Sequence, residues 1–110
     1  MTQTIDVFIS YKREERALAE QVAAALEAAG YTQVTDLNLR NSEHFGDAID
    51  RMIRAARLVL VLWTPAAADS DWVKNEARLG VELGTYLGVM VERTELPVDL
   101  KFKQYVDLDG

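Results

Sequence analysis

Cysteine is absent from this chain of 110 residues, which removes disulfide frameworks, thiolate metal sites and cysteine nucleophiles from consideration. Histidine occurs once, as His44, so a His-based metal centre or a serine triad is hard to assemble and no metal ligands are assigned. Basic side chains are outnumbered, 12 Lys and Arg against 18 Asp and Glu for a formal charge of -6. They are also dispersed, and nucleic-acid binding needs them concentrated on phosphates. The amino terminus has neither the basic region and apolar stretch of a signal peptide nor a run long enough to span a bilayer. The expectation is a soluble cytoplasmic protein with no nucleic-acid or membrane partner.

What remains is ordinary globular composition. About half the residues are apolar, 49% by count, which at this length fits one compact domain over residues 1–110. Ile5, Val7, Phe8 and Ile9 form a nearly continuous apolar run, the pattern of a strand buried on both faces of a parallel sheet. From Glu14 to Ala29, Leu18, Val22, Ala25, Leu26 and Ala29 repeat at helical spacing, with acidic groups in the first turn and Gly30 closing the segment. Tyr31 to Thr35 reads as a shorter strand.

Asp36 to His44 is polar and aperiodic, an exposed loop. Phe45, Ala48, Ile49, Met52, Ile53 and Ala56 outline the next amphipathic helix. Leu58 to Trp63 is the most hydrophobic run and the predicted central strand, ended by Thr64-Pro65. A loop through Asp69 and Ser70 leads to a helix from Asp71 to Gly84, with Ser70 as N-cap. Leu87 to Val91 is a fourth strand, Leu96-Pro97 breaks the chain again, and Tyr105 to Leu108 makes a fifth. Alternating strands and helices predict an α/β, flavodoxin-like, doubly wound parallel sheet of four to five strands with helices on both faces. The chain stops at Asp109-Gly110, where such a domain usually adds a final helix.

Glu76 is the residue out of pattern. At about 100° per residue the Asp71 to Gly84 helix gathers Trp72, Val73, Ala77, Leu79, Gly80 and Leu83 on one arc and sets Asp71, Lys74, Asn75, Arg78 and Glu82 opposite. Glu76 falls in the apolar arc, one turn after Trp72. A carboxylate turned toward packed groups loses hydration, and its pKa should rise unless it finds a donor. The plainer alternative is a rim residue that reaches water or pairs with an arginine. Trp72 by itself is more often a core residue than a stacking platform. Lys12 and Arg13, just before a helix, are solvated charges or phosphate contacts beside the free N–H groups of the first turn. Phe45 reads as the first core residue of its helix, Asp36 as the start of the loop, and His44 as surface.

These residues are where the chain resembles a Toll/interleukin receptor (TIR) domain, the bacterial branch in particular. The box Asp6 to Arg13 is similar to the family's first strand and following turn. Asp36, Phe45 and Ile49, the run Val61 to Pro65, and Ser70-Asp71-Trp72-Val73-Lys74-Asn75-Glu76 continue the match in order, with weaker support from Leu96-Pro97 and Tyr105 to Leu108. The loop departs from the family's pattern: Asn41-Ser42-Glu43 stands where a glycine is common, and Thr35 where an aromatic residue often precedes Asp36. The resemblance implies cleavage of NAD+ to nicotinamide and ADP-ribose or a cyclic form, with NAD+ as substrate and no separate cofactor. It implies Glu76 as catalytic residue and Ser10, Tyr11, Lys12, Arg13, Phe45 and Trp72 as substrate-binding residues. It also implies self-association with other TIR domains and a bacterial defence or virulence role.

The chemistry suits one carboxylate. Glycoside hydrolysis ordinarily uses two, because an alkoxide leaving group must be protonated. Nicotinamide leaves NAD+ as a neutral molecule, so a single carboxylate that stabilises the oxocarbenium-like ribose suffices. Substrate ribose hydroxyls or the Ser10 hydroxyl are candidates to offset the desolvation of Glu76. A non-catalytic module that binds other TIR domains would use the same fold, and a related enzyme acting on another N-glycoside is a third reading.

Overall fold

In a computed structural model of the chain, residues 5–35, 45–101, 103 and 105–107 are described. The predicted loop Asp36 to His44, with its Asn41-Ser42-Glu43 segment, lies outside them, as do Leu108 and the side chains of Thr35 and Phe45.

Five parallel strands form one sheet in the order β2-β1-β3-β4-β5. They are β1 (Ile5–Ser10), β2 (Gln33–Thr35), β3 (Ala56–Trp63), β4 (Tyr86–Met90) and β5 (Tyr105–Asp107). The parallel pairing follows from the alternation of strands with helices, since each parallel neighbour needs a crossover. β1 aligns Ile5 with Ala56 and Ser10 with Val61, and β3 aligns Val61 with Gly88 and Trp63 with Met90. Ala56, expected to end the preceding helix, instead begins the central strand, because backbone pairing with Ile5 outweighs its helical spacing.

Strand β1 alternates faces as the pleat requires. Phe8 joins Val59, Val61, Trp63, Val73, Ala77, Ile49 and Ile53 in the larger core layer, which lies under α2 (Phe45–Ala55), α3 (Pro65–Ala68), α4 (Asp71–Leu83) and α5 (Val98–Lys101). Val7, Ile9 and Tyr11 join Ala19 and Leu62 in the opposite layer, covered by α1 (Arg16–Ala28). Fully buried side chains such as Phe8, Val59 and Trp63 each contribute roughly 1.5–3 kcal/mol relative to exposure.

Two short helices were not legible from periodicity. One, α3, occupies the expected loop after Thr64-Pro65, with Pro65 at its first turn and the Thr64 hydroxyl accepting from the Ala67 N–H at 3.1 Å. The other, α5, follows Pro97. Four residues are too few to show a helical period. Helix α1 begins at Arg16, later than expected, because Arg13–Glu15 form a separate 3-10 turn that takes up the acidic residues.

Helix α4 starts and stops as the chain predicts. The Ser70 hydroxyl accepts from the Val73 N–H at 3.3 Å, and Gly84 closes the helix at φ 75°, a left-handed turn that costs glycine nothing. Within it, a Cβ on Gly80 would stand 3.1 Å from the Val59 Cβ, so this glycine lets the helix lie close on β3. Leu83, placed by pattern on the apolar arc, is instead 37% exposed as the last residue of the helix.

Candidate active site

Helices α2 and α4 return from the carboxyl edge of the sheet side by side and border an open cleft of about 160 Å³. Ile49, Asp50 and Ile53 line it from α2; Trp72, Asn75, Glu76 and Leu79 line it from α4. With a water's share of liquid near 30 Å³, the volume corresponds to about five waters, room for one heteroaromatic ring and part of a sugar.

Glu76 is a buried member of that lining. It is 4% exposed, and its Oε1 accepts a hydrogen bond from the hydroxyl of Ser10, the last residue of β1. Ser10 is fully buried, so this bond forms in a low-dielectric interior, where a donor to a carboxylate counts for more than in water. The departure from the apolar pattern is thus a carboxylate held in place, with a donor that offsets part of its desolvation. In a sheet of order 2-1-3-4-5 the crevice between the carboxyl ends of β1 and β3 is the switch point at which ligands bind. Ser10 ends β1 there.

Trp72, half-buried one turn before Glu76, supplies an aromatic wall to the same cleft. The other nominated residues divide. Tyr11 is 2% exposed and packs with Val7, Ile9, Ala19 and Leu62 on the opposite side of the sheet, away from the cleft lining. Strand alternation explains this: Phe8 and Ser10 face one layer, and Ile9 and Tyr11 the other. Lys12 is half-buried and Arg13 exposed, at the start of the 3-10 turn and not in the cleft lining. Phe45 opens α2, the helix that forms the second wall.

Two residues reach the cleft without having been singled out for it. Asn75 was assigned to the polar side of α4, yet it borders the opening. Asp50 brings a second carboxylate from α2; it is half-exposed and pairs with Arg54 at 2.9 Å. No sequence signal marks Asp50, since an i, i+4 acid-base pair on a helix surface is common.

Among the described residues no group of three or more His, Asp and Glu could hold a metal ion, and no helix is long and apolar enough to cross a membrane. Away from the cleft, the Arg78 guanidinium binds Asp99 at 2.7 Å and tethers α4 to α5; this holds the Asp99 carboxyl below its ordinary range and pushes Arg78 up. The Trp63 indole N–H donates to the Tyr86 hydroxyl at 2.8 Å across β3 and β4. Burial raises the Tyr86 phenol, and the indole bond opposes that in part.

The architecture is similar to that of the TIR domain of the Toll-related receptor TRR-2 from Hydra magnipapillata, at 20% identity and a TM-score of 0.87, over 96% of this chain and 86% of that one. It is also similar to the TIR domains of the activated Roq1 resistosome, a plant assembly that directly recognises the pathogen effector XopQ, at 18% identity and a TM-score of 0.64, over 81% of this chain and 60% of that one. At these identities the likeness concerns the fold. No curated protein matches the chain. The family model described as TIR domain matches residues 7–110, the stretch that holds all but the first two residues of the sheet together with Ser10, Trp72 and Glu76, and the chain belongs to the TIR domain family.

Proposed function

We propose that this chain cleaves the nicotinamide-ribose bond of NAD+, with Glu76 as the catalytic carboxylate. The observation that carries the reading is a carboxylate 4% exposed that nonetheless lines an open cleft beside an indole, at the switch point of the sheet. A purely structural role does not require a buried acid there, because burying an ionisable group is costly.

In the proposed reaction the bond from ribose C1′ to the pyridinium nitrogen breaks and its electron pair passes to the ring, which leaves as neutral nicotinamide. Positive charge moves onto the ribose, within reach of the Glu76 carboxylate, which is oriented before the charge develops. Trp72 provides a stacking face for the departing ring, and Ile49, Ile53 and Leu79 keep the surroundings poor in water. Water then adds to C1′ and gives up one proton, yielding ADP-ribose; attack by the adenine of the same molecule yields a cyclic isomer. A cleft of about 160 Å³ holds only the reacting end of the dinucleotide. The remainder extends past it, and self-association with other TIR domains is the means we infer for completing the site. The biological setting consistent with the motif boxes is a bacterial defence or virulence effector.

The test incubates purified protein with NAD+ at high protein concentration, with a crowding agent, and follows free nicotinamide by chromatography. The wild type is expected to release nicotinamide, and Glu76→Ala is not. No release by the wild type, or equal release by both, removes the enzyme reading and leaves a module for TIR-TIR interaction.

A further inference from the structure

Ser10 is wholly enclosed on the cleft side of the sheet, unlike Trp72, Lys12 and Arg13, while Tyr11 is buried in the opposite layer. The exposure of Ser10 is 0%, whereas Trp72 is half-buried and borders the cleft. It is absent from the cleft lining, and the carboxylate of Glu76, which is in that lining, accepts its proton-bearing oxygen as donor. A hydroxyl placed behind a carboxylate cannot meet the substrate without displacing that carboxylate.

We infer that Ser10 is a positioning residue, acting on the reaction through Glu76: its hydroxyl fixes the direction of the carboxylate into the cleft and keeps it ionised. The inference rests on the reading of Glu76 as the catalytic group. A hydrogen bond donated to a carboxylate stabilises the charged form, so loss of the donor moves the carboxyl's titration to higher pH. Other groups bear on that titration. From α2, Asp50 lines the same cleft and pairs with Arg54, both half-exposed. From α4 the neighbours in the lining are Trp72, Asn75 and Leu79, none of which is charged. Lys12 and Arg13 follow β1 outside the lining, and Tyr11 faces the opposite core layer. Ser10 donates to the Glu76 Oε1 from β1, and its replacement removes that bond while leaving each of these groups in place.

The experiment compares wild type, Ser10→Ala and Ser10→Thr by kcat and KM for NAD+ across pH. In parallel, the Glu76 side-chain carboxyl is titrated directly by carbon NMR, its signal assigned through Glu76→Gln. In Ser10→Ala, the acidic limb of kcat and the NMR midpoint are expected to move up together by roughly one pH unit. KM for NAD+ stays within about twofold, because no contact to substrate is lost, and Ser10→Thr, which keeps the donor, returns both toward the wild type. A several-fold rise in KM with an unmoved limb makes Ser10 a substrate contact and overturns the inference. An unchanged NMR midpoint in Ser10→Ala makes it packing only, and overturns it too. Absence of nicotinamide release by the wild type defeats the NAD+ reading instead, while the NMR comparison, which needs no turnover and is unaffected if Ser10→Thr fails to fold, still decides whether Ser10 governs Glu76.

Discussion

Ser10 and Glu76 stand 66 positions apart in the chain and share a hydrogen bond in an interior that hides both from solvent. The bond ties the end of β1 to the second turn of α4, so the carboxylate is held by the sheet as well as by its own helix. That rigidity has a cost, since a charged group is kept where an apolar one would pack more favourably.

Glu76→Gln should separate stability from activity. The amide keeps the shape and can still accept from Ser10, so the thermal midpoint is expected to match or exceed that of the wild type. Nicotinamide release should fall roughly a hundredfold or more, because charge stabilisation at the ribose is lost. A large fall in thermal midpoint would make Glu76 a structural residue.

Asp50 adds negative charge to the mouth of the cleft, which favours a cationic ring on entry. Its side chain is 50% exposed and shared with Arg54, so the effect is screened. Asp50→Asn is expected to raise KM for NAD+ by roughly twofold to fivefold with kcat unchanged, and the difference should vanish in high salt. Steady-state kinetics at two ionic strengths checks this; a change confined to kcat would refute it.

Tyr86 makes stability fall at alkaline pH. Its phenol is raised above 10.0 mainly by burial, so the folded state holds the proton more tightly than the unfolded one. The contribution is therefore complete below pH 10 and is lost as pH rises through the folded value. Thermal midpoints of the wild type should drop more steeply above pH 10 than those of Tyr86→Phe, measured in parallel; parallel curves would rule the phenol out.

Gly88 leaves no room for a side chain. A Cβ there would lie 2.5 Å from the Tyr86 hydroxyl oxygen and 3.0 Å from the Trp63 Nε1, the two ends of the β3-β4 side-chain bond. Gly88→Ala is expected to destabilise by about 1–3 kcal/mol through overpacking and displacement of that pair. Denaturant unfolding measures it, and a change below about 0.5 kcal/mol would show that the pair moves aside freely.

Local pattern carried most of the architecture. The apolar runs of β1 and β3, the helical period of α4, its Ser70 cap and the odd placement of Glu76 depend on residues within a few positions of one another, where periodicity and capping act. The period of two in β1 also held the separation of Ser10 from Tyr11, a signal legible in Phe8 and Ser10 against Val7, Ile9 and Tyr11.

Only the tertiary structure decided what Glu76 meets. Its donor comes from a strand far earlier in the chain, its cleft from the approach of α2, and its second carboxylate from Asp50, on a helix whose surface reads as ordinary acid-base pairing. Such contacts depend on strand order and helix packing, which join segments that carry no mark of each other in the linear chain.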